Sequence, residues 1–218
     1  MSDHIRIGVL AYAGADEFDL IVPYDTLSIW AQRWPRDQVT VAAISRESRP
    51  QRLAKGIRII PEATWAGFGR LDALVIPGGP GLIPLMNDQI TRGWLQRLAE
   101  TKCVFAAMCT GVLLLGNAGV IEDEHVSVHS EAAELLSAMA PKAQHASTAV
   151  ARHGRLITSS SAHGTLDAAI ELVRTLKGAS RAEEVASLVG HPTPQVVDQS
   201  HLGEEDDSNV TTLRADAS

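Results

Sequence analysis

The sequence predicts an α/β fold, a doubly wound and mostly parallel sheet with helices on both faces. Three observations predict it. Short apolar runs beginning at Ile5, Leu71 and Val104 have the length of buried strands and alternate with longer stretches of helical periodicity. Two of these runs end in small-residue loops, Pro77-Gly78-Gly79-Pro80-Gly81 and Cys109-Thr110-Gly111. The chain has 218 residues, 45% hydrophobic and 21% charged, which suits one well-buried α/β domain and leaves too little for two. We expect that domain over residues 1–190 and an acidic tail over 191–218, weakly structured or serving as an arm on a second subunit.

The elements follow in order. Residues 5–11 are an apolar strand whose C-terminal end faces the crevice where open α/β sheets bind ligands. The next segment opens with Asp16, Glu17 and Asp19, acidic residues suited to the first turn of a helix. Pro23 lies inside it, so a bent helix, or one that starts near Pro23, is expected. Residues 38–44 form the second strand, with a short extended pair around 57–60. Residues 71–76 form the third and run into the glycine loop, which either presents N–H groups to a developing anion or is merely a tight turn. A helix over 88–100 carries the apolar positions Ile90, Trp94, Leu95 and Leu98 at helical spacing. Residues 125–129 alternate as a short strand, 131–139 are helical, and 144–151 with 155–158 form a hairpin turning at His153-Gly154. Helices over 165–176 and 181–188 close the domain.

Cys109 stands between the strand 104–108 and a helix resuming at Val112, the arrangement of a nucleophile elbow. A side chain there is pushed out above the sheet, and the following N–H groups favour a thiolate, which lowers the cysteine pKa. Gly111 allows close backbone approach, and Thr110 offers an N–H and a hydroxyl. The same residues also suit a small cysteine buried between strand and helix.

Charge and cysteine usage exclude several classes. A formal net charge of -7 with no Lys/Arg cluster argues against a nucleic-acid partner. No apolar run reaches the roughly 18 residues of a membrane span, and Ser2-Asp3-His4 leads directly into a strand, so a cytoplasmic protein is expected. Cys103 and Cys109 lie at opposite ends of one strand, roughly 20 Å apart, too far for a disulfide. Without CxxC spacing, and with the histidines scattered, a structural zinc site is not expected.

The acidic entry after the first strand, the glycine loop and the cysteine elbow converge on one sheet edge, bringing together a nucleophile, a carboxyl group and backbone donors. This set resembles the ThiJ/PfpI superfamily, the class I glutamine amidotransferase-like group, over 5–188. The resemblance implies a flavodoxin-like sandwich and a homodimer acting on a small molecule. Cys109-Thr110-Gly111 through Asn117-Ala118-Gly119 is similar to the isonitrile hydratase branch. That match implies Cys109 as nucleophile, Asp19 as acid/base, Thr110 as essential companion, and Gly78 and Gly79 as oxyanion or substrate contacts. It also implies a substrate-side role for His129, which could equally be a structural residue ending a strand. His163 falls at a pocket-lining position, although it could cap its own helix. The implied reaction is hydration of an isonitrile to an N-substituted formamide through a covalent thioimidate, with no metal or organic cofactor. The sequence departs from the branch at Ile21-Val22-Pro23, at Ser130 and at Ser159-Ser160-Ser161-Ala162-His163-Gly164, which bears on the substrate rather than on the reactive core. The alternatives are glyoxalase or deglycase chemistry on 2-oxoaldehydes, a specialised hydratase or lyase, and a ligand or redox sensor.

Overall fold

The computed structural model describes residues 4–194 and 196–201. Its first half builds β1 (Ile5–Leu10), α1 (Glu17–Arg33), β2 (Val39–Ser45), the short hairpin β3 (Gln51–Arg52) and β4 (Arg58–Ile59), β5 (Ala63–Thr64), α2 (Trp65–Phe68) and β6 (Ala73–Ile76). Then come α3 (Leu82–Met86), α4 (Gln89–Ala99), β7 (Val104–Met108), α5 (Val112–Ala118), β8 (His125–Val126), α6 (Ala133–Met139) and β9 (Gln144–His145). Finally β10 (Val150–His153), β11 (Leu156–Ser159), α7 (Ala162–Lys177) and α8 (Ala179–Leu188) complete the fold.

Seven strands form the central sheet in the order β10-β11-β7-β6-β1-β2-β5. All pairings are parallel except β10 with β11. Every residue of β6 and β7 is buried, which is why these strands read as unbroken apolar runs rather than alternating ones. The chain moves from β1 to β2 in one direction and from β6 to β7 in the other. Right-handed crossovers therefore put α1 and α4 on opposite faces. Helices α1, α7 and α8 form one layer, and α3, α4 and α6 gather around α5 in the other. The strand order reverses between β1 and β6, so the crevice beyond their C-terminal ends is where the fold leaves room for a ligand.

Several expectations are corrected. Helix α1 begins at Glu17 and continues through Pro23, so of the two alternatives for this segment the start near Pro23 is overturned. The reason is its cap: the Asp16 carboxylate accepts from the Phe18 and Asp19 N–H groups at 2.9 and 3.4 Å, nucleating the helix before the proline is reached. The strand expected over 125–129 is only two residues long and pairs in parallel with β9, which thereby leaves the expected hairpin. Of the apolar positions on α4, Leu95 is fully buried and Ile90 is exposed. Helix α3 carries no local pattern that marks it in the chain, yet this short helix supplies one wall of the candidate site.

Residues 196–201 lie along β10. Asp198 pairs with Arg152 at 2.6 Å and accepts from the Gly154 N–H at 3.1 Å, while Arg152 also reaches the fully buried Glu171 of α7 at 3.2 Å. The acidic run 203–208 of the expected tail lies outside the described residues.

Candidate active site

Strand β7 delivers Cys109 at its C-terminal end with φ of +53°, a left-handed conformation that costs a non-glycine residue about 1–3 kcal/mol. The strain is held by packing. The next turn, Cys109–Gly111, sits so tightly on the end of β6 that a Cβ on Gly111 would fall 2.3 Å from the Ile76 carbonyl oxygen. Only glycine fits there. The sulfur is thereby displayed at a strand-helix junction, and both cysteines are free thiols.

The loop after β6 closes on this elbow from the side. Gly79, at φ of +127°, approaches the loop after β1 so closely that a Cβ would lie 2.4 Å from the Gly14 carbonyl oxygen. The Asp16 N–H donates to the Gly78 carbonyl at 2.8 Å, and the buried Tyr12 hydroxyl is 2.8 Å from both the Pro77 and Gly78 carbonyl oxygens. These contacts tie the loops after β1 and β6 into one floor.

Asp19 is held against that floor at 3% exposure. Its Oδ2 accepts from the Gly78 N–H at 3.2 Å and its Oδ1 from the Thr165 hydroxyl at 2.8 Å. The Gly79 N–H donates to Thr110 Oγ1 at 3.0 Å. The two glycine N–H groups expected to face a developing negative charge are thus engaged in building the site. A Cβ on Gly78 would come within 2.7 Å of Thr110 Oγ1 and 3.0 Å of Asp19 Oδ2.

A cavity of about 600 Å³ opens above this set. Asp19, Gly79, Cys109, Thr110 and His129 line it, together with Asp16, Glu131, Ser161 and aliphatic side chains of α3, α5 and α6. His129 caps the turn Ser130–Ala132, its Nδ1 accepting from the Glu131 N–H at 3.3 Å. His163 does not reach the cavity. Ser161 caps α7 and with Ala162 supplies the lining, which leaves His163 exposed in the first turn. Among the described residues, no group of three or more His, Cys, Asp or Glu side chains is arranged to hold a metal ion.

Sequence reasoning missed Thr165 and Tyr12. The signal for Thr165 was a hydroxyl on the apolar face of a strongly amphipathic helix, four residues beyond the capping serine; it is fully buried and bonds across 146 residues to Asp19. Tyr12 carried no comparable pattern.

The electrostatics overturn one expectation outright. Burial, then the Asp19 carboxylate, push the Cys109 thiol up to about 11, outweighing the Thr110 N–H, which pulls it down. Only a short turn and a seven-residue helix follow the sulfur, too little to offset desolvation and nearby carboxylates. The resting group is therefore a thiol. Burial raises Asp19 as well, and the Asp16 charge adds to this, against the opposing hydrogen bonds from Thr165 and Gly78. Partial burial also works upward on Asp16, yet the Lys55 ammonium and the Phe18 and Asp19 N–H groups hold it below the ordinary carboxylate value. The Asp19 charge thus acts directly on the Cys109 thiol at the cavity floor.

The rate of Cys109 alkylation by iodoacetamide should rise about tenfold per pH unit from pH 7 to 10, as expected for a thiol titrating near 11; a plateau already reached at pH 7 would show a preformed thiolate. Thr165→Val removes a hydrogen bond to the charged Asp19. Its acid-side pH limb should move upward and kcat/KM should fall about tenfold, the weight of one hydrogen bond to an ion, with Thr165→Ser restoring both.

A family model described as DJ-1/PfpI matches residues 5–175. The isonitrile hydratase of Pseudomonas putida is 28% identical over 181 residues, 83% of this chain and 76% of that protein. A glutathione-independent glyoxalase of Caenorhabditis elegans is 25% identical over 173 residues, 78% of this chain and 88% of that protein. In structure, a THiJ/PfpI family protein from Pseudomonas syringae superposes with a TM-score of 0.77 at 23% identity, over 88% of this chain and 77% of that one. With the family model spanning the sheet and most of α7, and with the same fold in the solved relative, the chain belongs to the DJ-1/PfpI family.

Proposed function

We propose that the protein is a cysteine-dependent hydratase that converts an isonitrile into the corresponding N-substituted formamide. The observation that carries this reading is a buried carboxyl group, Asp19, oriented by Thr165 and Gly78 next to Cys109 at the base of a cavity walled by aliphatic side chains. An isonitrile R–N≡C needs a nucleophile and a proton delivered together at its terminal carbon, and an apolar wall to receive R.

The chemistry uses the thiol as found. Asp19 takes the Cys109 proton as the sulfur forms its bond to the isonitrile carbon, and that proton ends on the same carbon, giving a thioimidate, Cys109–S–CH=N–R. Water then adds to this carbon, giving one proton to Asp19 while the nitrogen gains another. The C–S bond breaks, R–NH–CHO departs, and Asp19 returns its proton to the sulfur. The net change is addition of one water, and no electrons are exchanged. Acid/base assistance of this kind contributes about 100- to 10,000-fold. Thr110 supports the site by accepting from Gly79 and directing its own N–H at the sulfur.

The aliphatic wall favours this reading over glyoxalase chemistry, because a small, polar 2-oxoaldehyde would leave most of a 600 Å³ cavity unfilled. Among the described residues no helix is long and apolar enough to cross a membrane; a cytoplasmic homodimer completes the proposal. Incubating the purified protein with an aliphatic isonitrile and, separately, with methylglyoxal tests it. Formamide release at a kcat/KM at least tenfold above lactate release is expected. Lactate without formamide would replace this reading with a glyoxalase.

A further inference from the structure

The ionisable groups around the cavity are strongly one-sided. Among the described residues Asp16, Asp19 and Glu131 line it, no lysine or arginine does, and His129 is its one basic side chain. The carboxylates come from two directions: Asp16 and Asp19 from the start of α1, and Glu131 from the turn after β8. They are not equally compensated. The Lys55 ammonium pairs with Asp16, and Asp19 accepts from Thr165 and Gly78. Glu131 is exposed at the edge of the cavity, and among the described residues no cationic side chain pairs with its carboxylate. The walls between these charges are aliphatic, with Ile83 at 66% and Leu135 at 44% exposure left open to a ligand.

A cleft lined by one sign of charge between low-dielectric walls concentrates ligands of the opposite sign and repels those of its own. The influence already reaches the sulfur: Asp19, Asp16 and Glu131 all act to raise the Cys109 pKa. An anionic ligand would meet the same charges while losing water to an apolar wall, with no lysine or arginine among the described lining residues to pair with.

We propose that the cavity selects substrates whose non-reacting part is apolar and neutral or cationic, that it rejects anionic ones, and that Glu131 at its edge is the specificity-determining residue for charge. The inference rests on the Cys109 cavity being the reaction site, and it names the substrate class for that reaction.

The test uses the thiol itself, so it does not require turnover. The full-length protein is reacted with 2-(trimethylammonio)ethyl methanethiosulfonate and, separately, with 2-sulfonatoethyl methanethiosulfonate, and modification of Cys109 is followed by mass spectrometry. Both reagents consume the same thiolate fraction, so the ratio of their rates cancels the thiol pKa. Relative to free cysteine at the same ionic strength, we expect the cation-to-anion ratio to be raised at least tenfold. Glu131→Gln should lower it severalfold, while Glu134→Gln, which changes the same net charge outside the lining, should leave it in place. A ratio equal to that of free cysteine, or one that Glu131→Gln and Glu134→Gln change equally, would overturn the proposal. A raised ratio without isonitrile turnover would sink the hydratase reading alone. Formamide release with a flat ratio would sink the charge selection alone.

Discussion

Asp19→Asn is expected to lower isonitrile turnover about a thousandfold while making Cys109 easier to alkylate at neutral pH. The two effects run in opposite directions because Asp19 does two things. In the proposed mechanism it is base and acid, carrying the proton that leaves the sulfur and returns to it, a contribution of about 100- to 10,000-fold. As a buried charge it raises the Cys109 pKa, so a neutral amide leaves more thiolate. A residue needed only for folding would instead lose turnover together with stability in denaturant titrations. Stability carries a further signature. The folded Asp19 pKa lies above its ordinary value, so between the two the folded state holds more protons than the unfolded chain. That stabilisation is fully present below the ordinary carboxylate pKa and is lost as pH rises through the raised value. Denaturant titrations across this window should show the slope in the native protein and its loss in Asp19→Asn.

Cys109→Ala should abolish formamide formation, leaving only the rate of isonitrile in buffer, because no other side chain at the cavity floor can form the thioimidate. Cys109→Ser should be nearly as inactive. A serine hydroxyl is a far weaker acid than a thiol, and Asp19 is too weak a base to activate it. Both variants should keep the fold to within about 1 kcal/mol in urea titrations, since the left-handed backbone at position 109 is enforced by Gly111 packed on β6 and not by the sulfur. Turnover surviving in Cys109→Ala would move the chemistry to direct hydration by Asp19 and water.

What could be read from the chain was what local pattern encodes. The buried runs of β6 and β7, the elbow at Cys109 and the acidic start of α1 are each written in a few consecutive residues, and the structure places them where those patterns imply. What could not be read depends on partners distant in sequence. Thr165 meets Asp19 only because α7 packs beside α1, and Tyr12 bridges the floor only because β1 and β6 are neighbours. The sign of the Cys109 shift was misjudged for the same reason. The helix terminus that favours a thiolate is local, whereas the burial and carboxylates that outweigh it are assembled by the fold. The Gly78 and Gly79 N–H groups show the lesson in reverse: the loop was correctly located, but its donors turn inward to Asp19 and Thr110. His163 missed the cavity by the width of a helix cap.

The most direct test of the covalent route is a single-turnover reaction of the native protein with an aliphatic isonitrile, quenched with acid within milliseconds and analysed as peptides by mass spectrometry. The mechanism predicts a transient increment equal to the whole mass of the isonitrile, confined to the peptide containing Cys109, which decays as formamide appears. Formamide formed at full rate with no such increment on Cys109 at any time would contradict it.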